Sequence, residues 1–204
     1  MFLRAVVPLV SAPIPIIGID SRSDVQLLCS VTAYPPASVV WTMPWGDSSS
    51  ATQTATSAIS TSASTQVPQS KLKYGSYRCS AINPVGTASV TVELRAQSVP
   101  DRPINLSLVA TSAETLALQW LRPFDGSRNV SLSYTVYYAT GAGASRSSSN
   151  ATCDWPLYSA CSLTLQQLLP STTYTVYVTA SNWLGTSNAS NALVLFTSGT
   201  LHFH

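Results

Sequence analysis

Side chains that could support catalysis are few and scattered in this chain. Its only histidines are His202 and His204, at the extreme C-terminus, so a Ser-His-Asp or Cys-His arrangement would have to recruit the last residues. The eight acidic residues form no recognisable paired-carboxylate motif. Gly141-Ala142-Gly143 lacks the strand-to-helix context of a phosphate-binding loop. We therefore predict no enzyme activity, no small-molecule substrate, no metal and no cofactor.

Cysteine supplies the remaining reactive chemistry, at Cys29, Cys79, Cys153 and Cys161. No Cys-x-x-Cys occurs, which disfavours a zinc or thioredoxin-type site. Two disulfides are the better interpretation, and they indicate an oxidising compartment, hence a secreted or cell-surface protein. Cys153 and Cys161 bracket seven residues and are expected to form a local brace; a reactive or intermolecular thiol is the alternative.

Four asparagines lie in N-glycosylation sequons, where about two would arise by chance in a chain so rich in Ser and Thr. They are Asn105, Asn129, Asn150 and Asn188. As a group they agree with the extracellular location that the cysteines indicate.

The composition of the chain limits the kinds of domain and secondary structure in which the cysteines and sequons can lie. The 204 residues can hold one large domain or two of about 100 residues each. The net charge of +2, with only 9% charged residues and no basic run, argues against nucleic acid as a partner. No apolar stretch is long enough to cross a bilayer, so we expect any membrane attachment to lie in segments outside this chain. Thirteen prolines discourage long helices, and an all-β fold is expected.

The first half shows short alternating strands around three marker residues. Cys29 lies in the strand-like Val25–Val31, Trp41 follows twelve residues later, and Tyr77 precedes Cys79 by two. This pattern resembles an immunoglobulin domain of the intermediate (I-set) type. The resemblance implies a Cys29–Cys79 disulfide between two sheets, covered by Trp41, with the Tyr77 hydroxyl tying down the preceding corner.

Further features of the first half agree with that resemblance, and two depart from it. Val6–Ile19 is expected to be a split first strand, and the Asn-x-x-Gly turn at Asn83 is typical of the last hairpin. Many family members carry an acid where this chain has Lys73, so that ion pair is not expected. Ser48–Ser70 is nearly all Ser, Thr, Ala and Gln, with Ile59 and Val67 as its apolar anchors. The segment is expected either to form weakly patterned edge strands or to be a disordered or O-glycosylated insert, and the sequence leaves both interpretations open.

The second half resembles a fibronectin type III domain over its whole length. Trp120 ends an alternating strand, and Leu168–Tyr174 matches the family's Leu-x-Pro-x-Thr-x-Tyr corner, with Tyr174 as the corner tyrosine. Asn182-Trp183-Leu184-Gly185 makes the last hairpin. The sequence thus predicts two tandem β-sandwiches, at residues 5–96 and 99–198, with 199–204 as a tail or the start of a linker.

Trp183 and Leu184 are the leading candidates for contact with a partner. Large apolar residues at a hairpin tip are costly unless something covers them, and such residues form hot spots at interfaces. Packing against the domain's own neighbouring loop or the next domain is the alternative. Trp45 and Trp155 are weaker candidates of the same kind.

An immunoglobulin domain followed at once by a fibronectin type III domain resembles the ectodomains of adhesion molecules and receptors. Contactins, Down syndrome cell adhesion molecules, sidekicks, roundabout receptors and receptor protein tyrosine phosphatases have this arrangement. The resemblance implies a non-catalytic recognition and spacer fragment at the cell surface, with a homophilic or heterophilic protein partner. The alternatives are a structural piece of a giant intracellular muscle protein of the titin or twitchin kind, and part of a receptor-enzyme ectodomain. The N-terminus gives a weak signal-peptide pattern broken by Pro8, and we interpret it as the first strand of a domain from a longer protein.

Overall fold

A computed structural model describes residues 4–20, 22, 24–57, 59–128, 130–141, 146–148, 151–153 and 157–199. The chain divides into two compact units, the first ending at Gln97 and the second beginning at Ser98. Both units are β-sandwiches, as predicted, and the only helical element within these described ranges is a 3-10 turn at Gln69–Lys71.

The described residues of the first unit form nine strands in two sheets. They are β1 (Val6–Ser11), β2 (Ile16–Ile19), β3 (Val25–Tyr34), β4 (Ser38–Thr42), β5 (Ser48–Ser50), β6 (Thr52–Ala55), β7 (Ser60–Val67), β8 (Gly75–Asn83) and β9 (Gly86–Ala96). One sheet has the order β1-β3-β7-β6 and the other β2-β9-β8-β4-β5. The predicted split of the first strand is observed: β1 pairs antiparallel with β3, whereas β2 pairs parallel with β9.

The core of the first unit is built around a disulfide between its sheets. Strand β3 alternates buried and exposed residues, so that Cys29 points inward and is bonded to Cys79 on β8. Trp41 lies opposite Cys79 in the register of β4 and β8 and is fully buried. The Tyr77 hydroxyl donates a hydrogen bond to the Lys73 carbonyl (2.9 Å), which fixes the corner before β8.

The Ser/Thr-rich segment forms β5 and β6, which are edge strands as expected, and β7, which lies inside its sheet between β3 and β6. Of its two expected anchors only Val67 is buried; Ile59 is 38% exposed. Ala63 is buried in its place, because it lies opposite Cys29 in the register of β3 and β7 and its small side chain fits beside the disulfide. The opposite face of this sheet carries hydroxyls, including a row across four strands: Ser11, Ser30, Ser62 and Thr54.

In the second unit, too, nine strands in two sheets are seen among the residues that the structure describes. They are β10 (Ile104–Thr111), β11 (Leu116–Leu121), β12 (Ser133–Thr140), β13 (Arg146–Ser148), β14 (Thr152–Cys153), β15 (Ala160–Leu165), β16 (Thr173–Asn182), β17 (Gly185–Thr186) and β18 (Leu193–Phe196). One sheet has the order β10-β11-β15-β14. The other has β13-β12-β16-β17, with β18 also paired to β16.

Aromatic residues fill much of the core of the second unit. Trp120 is fully buried, and its ring centroid lies 5.6 Å from that of Tyr134. Tyr174 is the corner residue: its hydroxyl accepts a hydrogen bond from the Leu169 N–H at 2.8 Å. Cys153 and Cys161 are bonded to each other and lie directly opposite in the register of β14 and β15. This disulfide therefore ties an edge strand to its neighbour within one sheet.

Burial of Tyr134 makes the second unit sensitive to alkali. Removal of its hydroxyl from water raises the pKa of Tyr134 to about 12, against the opposing effect of the nearby Arg122 guanidinium. The unfolded chain has the ordinary tyrosine pKa of about 10 and so releases this proton first. Stability from this group is therefore complete below pH 10 and is lost as the pH rises toward 12.

We expect Tyr134→Phe to reduce the alkaline destabilisation of the protein. The free energy of unfolding in urea, measured between pH 9 and pH 12, should fall less for the variant, by on the order of 2 kcal/mol at the upper end. Parallel curves for the two proteins would show that the Tyr134 hydroxyl ionises equally well in the folded and unfolded states.

Candidate recognition surface

The hairpin between β16 and β17 is held by one asparagine side chain. The Asn182 carbonyl oxygen Oδ1 accepts hydrogen bonds from the N–H groups of Leu184 (2.8 Å) and Gly185 (3.1 Å). Its amide Nδ2 donates to the carbonyl oxygens of Ser98 and Asp125, both at 2.9 Å. All four bonds go to backbone groups, so Asn182 joins the turn to two other segments of the same unit.

The first unit uses the same arrangement at its own last hairpin. Asn83 accepts from the N–H groups of Val85 and Gly86 and donates to the carbonyl oxygens of Val6 and Pro35. The Asn-x-x-Gly spacing places two backbone donors within reach of the asparagine carbonyl, which is why both halves of the sequence carry it.

The tip of the second hairpin presents two large apolar side chains. Trp183 is 66% exposed and Leu184 is 41% exposed. Gly185 follows with a φ of 144°, and a Cβ at this position would lie 3.0 Å from a methyl group of Val99. Since the turn is held by Asn182 and closely packed at Gly185, Trp183 and Leu184 are displayed on a rigid support, which lowers the entropic cost of binding.

A buried ion pair organises the neighbouring loop and was not foreseen from the sequence. Asp125 is 5% exposed and Arg122 8% exposed, with their charged groups 3.9 Å apart. The Asp125 carboxylate also accepts hydrogen bonds from the N–H groups of Ser127 (2.9 Å) and Val130 (2.8 Å). The sequence Pro123-Phe124-Asp125-Gly126 predicts only a turn, in which an aspartate is expected whether or not it is buried.

A groove of about 580 Å³ lies beside this loop, within the second unit. Its walls come from the opening segment, from the loop after β11, from the segment before β15, and from β17 with the residues that follow it. Lining side chains include Val99, Arg102, Phe124, Tyr158 and Asn188. Tyr158 is 50% exposed, so the groove offers an accessible aromatic ring beside charged and polar groups.

The described sequons place their asparagines at the surface of the second unit. Asn188 is exposed and lines the groove, and Asn105 is exposed on β10 with a φ of 56°. Asn129 and Asn150, as well as Trp155, His202 and His204, lie outside the described residues.

Trp45 is engaged in packing within the first unit. Its indole N–H donates to an Asp47 carboxylate oxygen at 2.7 Å, and its ring meets Tyr77 edge-on. The Lys73 ammonium lies 5.4 Å from the centroid of the Trp45 ring. Lys73 thus makes a cation–π contact at the position where an acid would make the family's ion pair. Trp45 is not displayed for a partner in the way that Trp183 is.

The described part of the chain holds neither a metal-binding cluster nor a membrane-spanning helix. Across those residues, no cluster of three or more His, Cys, Asp or Glu side chains has the geometry to hold a metal ion. No helix there has the length and apolarity that a membrane span requires.

Comparison with known proteins agrees with this architecture. Residues 101–195 match the family model of the fibronectin type III domain. Over 122 residues the chain is 25% identical to the cell adhesion molecule Dscam1 of Drosophila melanogaster, covering 60% of this chain and 6% of that protein. Nephrin of Mus musculus is 30% identical over 118 residues, 58% of this chain and 9% of nephrin. Lachesin of Schistocerca americana is 31% identical over 98 residues, 46% of this chain and 28% of lachesin.

The chain thus spans less than a third of the length of each of these curated relatives. Among solved structures, a crystal structure of titin domains overlays 94% of this chain and 66% of its own length, at 19% identity and a TM-score of 0.40.

The second unit is a fibronectin type III domain and the first is an immunoglobulin-like sandwich.

We expect Asn182→Ala to destabilise the second unit by about 3 kcal/mol, because it leaves backbone groups at the hairpin and at Ser98 and Asp125 without their partners. Chemical denaturation with a fluorescence or circular dichroism readout measures this. Asn191→Ala, at an exposed position in the same unit, is the matched control and should change stability by less than about 0.5 kcal/mol. Equal stability of the two variants would show that Asn182 does not hold the hairpin.

Proposed function

We propose that this chain, in which an immunoglobulin-like sandwich is followed by a fibronectin type III domain, is a non-catalytic recognition and spacer fragment of a cell-surface adhesion molecule or receptor. Its partner would be a protein on an opposing or neighbouring cell, either a second copy of the same protein or a different one. Membrane attachment would come from segments outside this chain. We place the two modules at residues 5–96 and 99–198.

The observation that carries this proposal is the display of Trp183 and Leu184 on a held hairpin. Tryptophan is enriched among the few residues that supply most of the binding energy at protein interfaces. A monomer that folds for stability alone gains nothing from a tryptophan that is 66% exposed at a turn. The relatives named as cell adhesion molecules support the same kind of role for this chain.

The two disulfides support an extracellular location. Cys29–Cys79 and Cys153–Cys161 take up all four cysteines of the chain. Structural disulfides persist in secreted and cell-surface proteins, whereas the cytosol keeps thiols reduced. An intracellular muscle protein built from the same modules, the alternative function, would leave these pairs as free thiols.

We expect Trp183→Ala to weaken partner binding about tenfold or more while leaving the thermal midpoint within about 2 °C of the wild type. Beads coated with the purified chain are scored for aggregation with one another and for adherence to cells of the tissue that makes the protein. The first readout reports a homophilic partner and the second a heterophilic one.

Phe196→Ala is the matched control for that experiment, because Phe196 is an aromatic residue of similar exposure (55%) on β18 of the same unit. It should leave both bead readouts unchanged. A large loss of thermal stability in Trp183→Ala would show that Trp183 packs within the protein and does not bind a partner.

Peptide mapping by mass spectrometry, without reduction, on protein isolated from its native cells tests the location. We expect cross-links Cys29–Cys79 and Cys153–Cys161 and glycans on some or all of Asn105, Asn129, Asn150 and Asn188. Free thiols together with bare asparagines would favour the intracellular structural function instead.

A further inference from the structure

We propose that the groove of the second unit holds the first N-acetylglucosamine of a glycan attached to Asn188. The inference rests on the proposed function, since only a protein of the secretory pathway receives such a glycan. The sugar in the groove would be part of the same glycoprotein, because Asn188, to which it is attached, is one of the residues that line the groove.

The attachment point is rigid at the backbone and open at the side chain. The Ser187 hydroxyl accepts a hydrogen bond from the Ala180 N–H and donates to the Asn188 carbonyl at 2.8 Å. Two residues further on, the Ser190 hydroxyl accepts from the Val178 N–H at 3.0 Å. These bonds fix the main chain on both sides of Asn188, whose side chain is exposed.

The walls of the groove match the chemistry of a pyranose ring. Such a ring has C–H groups on its faces and hydroxyl and acetamide groups at its edge. The exposed apolar walls are Tyr158 (50%), Val99 (39%) and Ile104 (37%), and the polar groups include Asp101 and Arg102. The volume of about 580 Å³ falls within the range of about 300–1,000 Å³ that suits small organic ligands.

Tyr158 is held in place by an unusual backbone conformation. Its φ is 63°, in the left-handed region that non-glycine residues rarely adopt. Two backbone hydrogen bonds hold this segment: the Tyr158 N–H donates to the Arg122 carbonyl (3.1 Å), and the Arg122 N–H donates to the Ser159 carbonyl (2.8 Å). Backbone outliers of this kind are strained, and they cluster at ligand contacts.

Covalent attachment makes even weak contacts effective. A sugar tethered to Asn188 has a local concentration at the groove set by a linkage of a few bonds, in the millimolar range or above. Contacts too weak to capture a free monosaccharide would therefore keep the attached one in the groove. Burial of Tyr158, Val99 and Ile104 under the sugar would also remove apolar surface from water.

The test is a comparison of glycoforms and variants made in a secretory eukaryotic host. Endoglycosidase trimming leaves one N-acetylglucosamine, and Asn188→Gln leaves none. We expect the trimmed protein to retain the thermal midpoint of the intact glycoprotein, and Asn188→Gln to lower it by about 4 °C. In a Tyr158→Ala background, Asn188→Gln should lower the midpoint by less than about 1 °C.

Asn105→Gln is the matched control, since Asn105 is a sequon asparagine in a smaller groove, of about 380 Å³, whose lining includes Leu106 and Leu193 and no aromatic residue. Its effect should be the same with and without Tyr158→Ala. Hydrogen–deuterium exchange of the glycosylated wild type against Asn188→Gln gives a second readout, and it should show faster exchange for the variant at residues 98–104 and 157–160.

Three results would overturn the inference. In the first, Asn188→Gln shifts the thermal midpoint equally with and without Tyr158→Ala and leaves hydrogen–deuterium exchange unchanged. The second is a bare Asn188 while another sequon is occupied, which leaves the extracellular proposal standing. The third is a chain with all sequons bare and all thiols free when isolated from its native cells, which overturns the proposed function as well.

Discussion

The four hydrogen bonds of the Asn182 side chain set the geometry on which the recognition surface depends. They join the β16–β17 turn to Ser98, at the start of the second unit, and to Asp125, in the loop after β11. A short amide side chain can make this connection because it carries two acceptor and two donor positions. The same side chain therefore holds the turn that displays Trp183, the Ser98 edge of the groove and the loop at Asp125.

The two units reach similar sandwiches with different core anchors. The first relies on Cys29–Cys79, which closes a loop of fifty residues and contributes about 4 kcal/mol by loop entropy. In the second, aromatic packing of Trp120 against Tyr134 takes the central place, and Cys153–Cys161 closes a short loop whose contribution is about 2.5 kcal/mol. The cross-strand disulfide stabilises an edge strand of one sheet, whereas the inter-sheet disulfide holds two layers together.

Much of the fold could be predicted from the sequence because several residue types, at their observed spacing, fit only one position in a β-sandwich. Cys29 and Trp41 are inward residues of alternating strands, and the hydroxyls of Tyr77 and Tyr174 find backbone partners only at a corner. The Asn-x-x-Gly spacing likewise predicts a hairpin turn, in which the asparagine side chain accepts hydrogen bonds from two backbone N–H groups.

Other features depend on residues that meet only in three dimensions. The Arg122–Asp125 pair could not be predicted, since an aspartate in a Pro-Phe-Asp-Gly turn is expected whether or not it is buried. Ala63 is the buried anchor and the larger Ile59 is not, because the pairing of β7 with β3 places Ala63 opposite Cys29, whereas Ile59 lies just before β7. The groove at Asn188 is formed by four segments that are far apart in the sequence, so no local sequence pattern predicts it.

Scarcity of charge narrows the ways in which this chain can recognise a partner. Only 9% of its residues are charged and the net charge is +2, so long-range steering of a partner contributes little. The outer face of the β1-β3-β7-β6 sheet is covered largely by serine and threonine hydroxyls, which water solvates well and which give a partner few strong contacts. Specific affinity must then come from a small number of apolar side chains held in fixed positions. Trp183 and Leu184 meet that requirement because their turn is held by Asn182 and packed against Val99.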